Sequence, residues 1–468
     1  WSSDVCSSDL NRRRHRDDRA EKTMKLFGTD GIRGKAGVAP LVPETVARVG
    51  AALVKVMLAH DPSHRLRYVI GRDTRESGAW IEEELARGLA SEGASVVSAG
   101  VVPTPGIAYL ARTEGFDAGI VISASHNPYE DNGIKVFGGS GTKLTGTLEA
   151  SVEALVADPS WQVPAAPGAI ERRDLSAHYV DHLTEIMKSA GALTGSTIVI
   201  DCANGATVSI APALFKTLGF EVDAIGVDPN GRNINLNCGS THLDGLQNAV
   251  VARGARLGIG FDGDGDRALF VDHAGRIIDG DAVLLMSALY LRDRDQLPGP
   301  AVVATVMSNI GLEIALRERG ISMVRTSVGD KYVMEEMVKS GYSLGGEQSG
   351  HVIFSEHLFT GDGLATALHV LRNMRDTGKE LAELASALTT YPQVLVNVRV
   401  KERTDLKTVP AIADAMAKVE AQLAGNGRLL VRYSGTEPLL RIMLEGQDDQ
   451  QIRGWADEIA GVVKAHLA

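Results

Sequence analysis

At 468 residues the chain is too long for one hydrophobic core and is expected to divide into about three or four domains. Its 48 Lys and Arg against 59 Asp and Glu leave a net charge of −11 with no extended basic stripe, so a surface that tracks nucleic-acid phosphates finds no support and an anionic substrate has to be met by local cations. No apolar run approaches the ~18–20 residues of a membrane span and no signal-type apolar segment opens the chain, which predicts a soluble, cytoplasmic protein with no membrane or nucleic-acid partner.

Residues 1–23 read unlike the rest: Ser- and Asp-rich, then the basic run Arg12-Arg13-Arg14-His15-Arg16. They are expected to be a disordered, non-native-looking extension before a natural start at Met24, and their removal is expected to leave activity and melting temperature unchanged. Cys6, Cys202 and Cys238 match neither a zinc motif nor a disulfide framework and read as free thiols.

From Met24 onward, short β-branched runs alternate with helical patterns, the signature of βαβ units around a mostly parallel sheet. The first domain, 24–174, has predicted strands at 68–70, 94–97 and 119–122 and a helix over 79–92. The second, 175–276, has strands at 197–200, 220–222 and 257–261. The third, 277–390, has strands at 301–306, 323–326 and 341–344. Polar stretches at 158–174 and 272–281 are expected linkers. After Pro392 the pattern changes to an alternating strand at 394–400, a helix over 409–423, strands at 429–432 and 439–443, and a closing helix. That is a smaller α+β domain spanning 391–468.

Three polar motifs directly follow an apolar strand: Ser123–Pro128, Asp262–Arg267 and Gly345–His351. In open α/β sheets ligands bind beyond the carboxyl ends of strands, so three domains can each offer a loop to one cleft. In Asp262-Gly263-Asp264-Gly265-Asp266-Arg267 the glycines let three alternating carboxylates converge, and such a cluster repels itself without a divalent cation. Hard oxygen donors select Mg²⁺ or Ca²⁺, and an EF-hand register fails because Arg267 stands where Gly is needed. Three carboxylates leave positions open for a phosphate oxygen, which directs attention to Ser125. A serine with no Gly-x-Ser-x-Gly elbow is a poor nucleophile, whereas a phosphorylated Ser125 can serve as donor and complete the metal shell. Without the aspartates, Ser-His-Asn-Pro is an ordinary turn.

Glu347, Ser349 and His351 bring groups that hydrogen-bond sugar hydroxyls. Arg432, Ser434, Gly435 and Thr436 form a candidate phosphate nest, with a capped surface turn as the plain alternative. Arg33, in the glycine-rich run 27–34, and Lys135 are cations within reach of an anion. No Gly-x-x-x-x-Gly-Lys-Ser/Thr loop is present, which disfavours a P-loop kinase.

Five motifs in order (Phe27–Gly34, Ser123–Pro128, Asp262–Arg267, Gly346–His351 and Arg432–Pro438) make the chain from Met24 onward resemble the α-D-phosphohexomutase family. The resemblance implies three similar α/β domains and a smaller fourth in a heart-shaped arrangement around a central cleft. It implies Ser125 as the phosphoserine, and one Mg²⁺ per chain held by Asp262, Asp264, Asp266 and the phosphate on Ser125. Glu347 and Ser349 are then expected on sugar hydroxyls, and Arg432, Ser434, Gly435 and Thr436 on the idle phosphate. Arg33, His126, Lys135 and His351 are expected near the reacting oxygens, with the acid and base unassigned, and Arg267 is expected to bind the substrate.

Gln348 and the Gly-Thr-Asp-Gly-Ile-Arg-Gly opening resemble the amino-sugar branch. This implies interconversion of glucosamine 6-phosphate and glucosamine 1-phosphate through a 1,6-bisphosphate intermediate or activator of glucosamine or glucose, feeding UDP-N-acetylglucosamine and cell-wall precursors. A phosphomannomutase/phosphoglucomutase, a non-catalytic sugar-phosphate sensor and a metal-dependent phosphatase are the alternatives. Assembly stays open, a homodimer being one option. Lys331 stands where the family pattern leads us to expect Arg.

Overall fold

The computed structural model describes residues 25–467 except 29, 60–63, 167 and 435–437; the expectations for 1–23, Met24, Cys6, Gly435 and Thr436 fall outside the described residues. Among the described residues, four sheets follow one another along the chain.

The first sheet contains β1 (Phe27–Gly28), β2 (Gly31–Lys35), β3 (Arg67–Arg72), β4 (Ser95–Val101), β5 (Ala118–Ile122), β6 (Asp131–Gly138) and β7 (Glu171–Arg172), in the order β1-β2-β6-β5-β3-β4-β7. The second contains β8 (Thr197–Asp201), β9 (Glu221–Ile225), β10 (Leu257–Phe261), β11 (Ala268–Asp272) and β12 (Ile277–Ile278), ordered β12-β11-β10-β8-β9. The third contains β13 (Ala301–Thr305), β14 (Ser322–Thr326), β15 (Leu344–Gly346) and β16 (Val352–Phe354), ordered β14-β13-β15-β16.

One pattern underlies all three. A first strand pairs in parallel with two others, and the last of these turns back into an antiparallel strand: β5 into β6, β10 into β11, β15 into β16. Strands β5, β10 and β13 are buried along their whole length, as expected of strands covered on both faces. The loop between the last parallel strand and its antiparallel partner occupies the same place in each sheet. Those three loops are Ser123–Glu130, Asp262–Arg267 and Glu347–His351.

The fourth sheet is antiparallel, with β19 (Leu439–Glu445) between β17 (Gln393–Arg399) and β18 (Arg428–Tyr433), and it packs under the helices Pro410–Leu423 and Asp449–Leu467 with its own core. The second and third units instead share one core, in which Tyr179, Phe270, Leu284 and Leu368 belong to a single buried cluster. Neither expected linker is a free connector. Residues 171–172 form β7 on the edge of the first sheet. Residues 272–281 hold a tight turn, the strand β12 paired with β11, and Asp279, which caps the helix Gly280–Arg292 through the amide of Ala282. The turn residues Asp272 to Gly275 simply look like linker in composition.

Candidate active site

The three equivalent loops meet. Ser125 Oγ donates to Oδ2 of Asp262 at 2.5 Å, across 137 positions of sequence. Asp262, Asp264 and Asp266 are all buried, and one carboxylate oxygen from each lies within 4.8 Å of the others. Gly263 permits this approach, because a Cβ there would stand 2.6 Å from the Ser125 carbonyl oxygen. Thr104, at the start of the helix Thr104–Thr113, holds Asp264 through its Oγ1 at 2.5 Å and its amide at 2.8 Å. Gly363 N–H donates to the Gly265 carbonyl, and Ala268 N–H to that of Gly350, so the third unit braces the aspartate loop.

Ser125 has φ +53°, in the left-handed region that non-glycine residues avoid. A pedestal holds it there. Arg75, fully buried, donates from Nη2 to the carbonyls of Ser125 and Asn127, both at 2.9 Å, and from Nη1 to Asp131 at 3.0 Å and to Pro128. Its Nε pairs with Asp73 at 2.8 Å, and Asp73 also accepts from Ser123 Oγ, which in turn accepts from the Ser125 amide. Asn235, reaching across from the second unit, donates to the same Ser125 and Asn127 carbonyls. Burial pushes the Asp73 carboxyl up despite Arg75.

The charge balance explains the rest. Burial and repulsion from Asp266 and Asp264 raise Asp262 well above the usual carboxylate range. Burial also acts against ionised Asp266, but Lys135, His351 and Arg267 outweigh it and hold that carboxyl well below its ordinary value. Lys135 Nζ lies 2.8 Å from Asp264, 3.1 Å from Asp266 and 3.0 Å from Asp30. Desolvation works against its charge, yet the three carboxylates keep it protonated. Among the described residues, Oδ1 of Asp264 and Oδ1 of Asp266 are buried with no hydrogen-bond partner. Unpartnered carboxylate oxygens beside two further carboxylates suit a hard divalent cation, and the residues present fit one.

Beyond the triad opens a cleft of about 560 Å³, lined among others by Asp30, Arg33, His126, Arg267, Asp330, Glu347 and His351. Arg33 pairs with Asp30 and lies 3.4 Å from Asn127 Oδ1. His126 Nδ1 is 3.3 Å from Ser125 Oγ; burial, then Arg267 and Arg33, pushes its pKa down to about 4, so the ring is neutral at pH 7. His351 accepts at Nε2 from the Gly361 amide, 2.9 Å away, and turns Nδ1 toward Asp266 at 3.6 Å. Glu347 accepts from the Gly329 amide and lies 3.3 Å from Ser349 Oγ. Arg432 and Ser434 stand apart from the cleft lining; Arg403 donates to the Ser434 carbonyl and Arg441 to its Oγ.

The structure therefore gathers Arg33, Ser125, His126, Lys135, the three aspartates, Arg267, Glu347, Ser349 and His351 around one cleft. Asp30, Asp73, Arg75, Thr104, Lys143, Asn235 and Asp330 were not singled out from sequence. Asp73-Thr74-Arg75 follows β3 as the other motifs follow their strands, which was a usable signal; Asn235 carried none. Lys331 pairs with Glu149 at 2.6 Å.

Four descriptions match the chain in order: "Phosphoglucomutase/phosphomannomutase, alpha/beta/alpha domain I" over residues 24–162, domain II over 177–275, domain III over 279–391 and the C-terminal domain over 395–462. The chain belongs to the phosphoglucomutase/phosphomannomutase family. Within that family it is 51% identical over 445 residues to a phosphoglucosamine mutase of Solibacter usitatus, covering 94% of this chain and 99% of that one. Among solved structures it is similar to a phosphoglucomutase/phosphomannomutase family protein of Burkholderia thailandensis, with a TM-score of 0.79 at 26% identity, covering 94% of this chain and 97% of that one. It also shares its fold with the N-acetylphosphoglucosamine mutase of Aspergillus fumigatus, whose crystals contain GlcNAc-6P and magnesium (TM-score 0.66, 18% identity, 94% and 95% covered).

Proposed function

We propose that this phosphohexomutase interconverts glucosamine 6-phosphate and glucosamine 1-phosphate, supplying amino-sugar and cell-wall precursor synthesis in the cytoplasm. The observation that carries the reading is the Ser125 hydroxyl seated on Asp262 beside two carboxylates with unpartnered oxygens. The 51% identity to a phosphoglucosamine mutase over nearly the whole chain supports the amino sugar as substrate.

Phosphorylated Ser125 is the donor. The sugar O1 displaces Ser125 Oγ from phosphorus, forming the O1–P bond as the Oγ–P bond breaks; the O1 proton leaves and Oγ ends as the hydroxyl. The resulting glucosamine 1,6-bisphosphate reorients, and Ser125 Oγ then takes the phosphoryl group from O6, which receives a proton. Such transfers depend on positioning and on charge complementary to a loose transition state. Arg33, Lys135 and Arg267 supply that charge, and His126, which is neutral, and His351, whose pKa is raised against the cost of burial by Asp266, Asp330 and Glu347, are placed to hold or pass the proton. Asp262, Asp264 and Asp266 would hold one Mg²⁺, which would neutralise charge on the transferring phosphoryl group.

Glu347 and Ser349 hold sugar hydroxyls, while Arg432, Ser434, Gly435 and Thr436 take the idle phosphate on the smaller domain, which releases and clamps again as the sugar turns. The enzyme is proposed to work as a homodimer, which light scattering on the purified protein checks. The deciding measurement is a comparison of kcat/KM for glucosamine, glucose and mannose 6-phosphates, with intact-mass detection of one phosphoryl group on Ser125. A higher ratio for glucose or mannose 6-phosphate overturns the substrate, and inorganic phosphate released without isomerised sugar overturns the mutase.

A further inference from the structure

A second cluster of ligating side chains lies in the third unit, outside the aspartate loop. Glu356 and His357 stand on the segment after β16, and His369 projects from the helix Gly363–Thr377. Nε2 of His357 and Nε2 of His369 are 2.9 Å apart, Oε1 of Glu356 is 3.2 Å from the former and 3.7 Å from the latter. Ligand atoms at ~2.0–2.1 Å from a tetrahedral metal are separated by about 3.3 Å, and these three edges scatter around that value. The donors thus form one face of a tetrahedron. A hydrogen-bonded imidazole pair accounts for the shortest edge but not for a carboxylate oxygen within reach of both nitrogens.

The surroundings hold the donors in place. The His369 ring stacks on Phe354, with centroids 3.8 Å apart and planes inclined by 5°. The His182 ring, from the helix Ser176–Met187, stands edge-on to His357 at 5.3 Å, and its Nε2 is buried with no hydrogen-bond partner among the described residues.

The geometry points to a transition-metal site of the Zn²⁺ class formed by Glu356, His357 and His369, separate from the hard-cation site of the aspartates. Two imidazoles and one carboxylate are a borderline-soft donor set that Mg²⁺ does not favour. A guanidinium only donates, so Arg372 Nη2, 3.0 Å from His369 Nδ1, puts the ring proton on Nε2 in the metal-free state. For the ion to take the Nε2 lone pair that proton has to move to Nδ1, so Arg372 gives up its bond to the ring, keeps the one to the Ile186 carbonyl, and remains a positive charge the ion has to tolerate. The site clips the loop 355–362 to its following helix, and that same loop supplies the Gly361 amide that orients His351.

Co²⁺ is the probe, added to the full chain stripped of metals and then saturated with Mg²⁺ to occupy the oxygen site. The expected result is one equivalent of Co²⁺ giving the intense visible bands of tetrahedral, nitrogen-ligated cobalt, displaced by Zn²⁺. His357→Ala and His369→Gln should each weaken binding about tenfold or more. Arg372→Met should tighten it by on the order of tenfold, and this variant keeps every ligand, so it reads the site even where a histidine substitution unfolds the loop. Weak bands of octahedral type only, binding insensitive to His357, or an Arg372→Met affinity equal to the parent's would each overturn the assignment.

Discussion

Ser125 combines an unfavourable backbone conformation with complete burial, and what keeps it there is a set of hydrogen bonds that touch no substrate. Ser125→Ala should abolish turnover and the phosphoryl mass increment while leaving the melting temperature within a degree or so; near-parental rates would remove Ser125 from the mechanism. Asp264→Asn deletes one charge from the triad, and Mg²⁺ titration by calorimetry should show binding weaker by about tenfold or more. Arg75→Met is the more informative change. It leaves Asp73 as an unpaired buried charge and strips four carbonyls of a donor, so urea unfolding should show a loss of ~3–5 kcal/mol. Asn235→Ala removes only the contact from the second unit, costs ~1–3 kcal/mol, and should lower kcat with little change in KM, because the hydroxyl rather than the sugar loses its position. The motif residues were legible because their side chains carry the chemistry. Arg75 and Asn235 act through backbone carbonyls, which have no signature in side-chain composition.

At the level of elements, the long periodic segments read well and the short ones did not. Predicted strands at 257–261 and 301–306 and the helix over 79–92 agree with β10, β13 and Gly78–Ser91 to within a residue, since full burial writes an uninterrupted apolar run. β1, β2, β12 and β16 leave no mark because two to five residues cannot display a period, and β6, with its polar start Asp131-Asn132-Gly133, shows no strand pattern where it begins. The antiparallel return strand was therefore missing from every predicted sheet, although it is what bends each motif into the cleft. The helix Gly280–Arg292 offers a pH test away from the site. Asp281 in its first turn is buried; desolvation, then Asp279, raises its pKa to about 7 despite the Asn309 amide 2.8 Å away. A carboxyl raised on folding stabilises the native state below its unfolded pKa, and the contribution is lost as pH rises through the folded one. Between about pH 4 and 7 the parent should lose on the order of a few kcal/mol relative to Asp281→Asn; parallel melting curves for the two proteins across that range would refute it.

Across the whole molecule, the division into units was legible from the repeated strand–helix rhythm, but the fusion of the second and third units into one core was not, because periodicity reports which face is buried and never against what. The first and third units also meet through charge. Lys143 bridges Asp30 and Asp330, and Lys331 pairs with Glu149. The lysine found in place of the expected arginine retains this bond, being a point contact rather than a planar fork. A double-mutant cycle on Glu149→Gln and Lys331→Met should return a coupling on the order of 1 kcal/mol that shrinks in high salt; no coupling at low salt would make the contact incidental.

The grip of Asn235 on the Ser125 carbonyl bears on how the molecule can be divided. A polypeptide ending before the second sheet retains the serine but lacks both Asp262 and the amide that helps fix its turn, so it should neither accept nor hold a phosphoryl group. Phosphate uptake at Ser125 thus becomes a readout of whether two separately made halves have found each other, a reporter of reassembly that needs no sugar turnover.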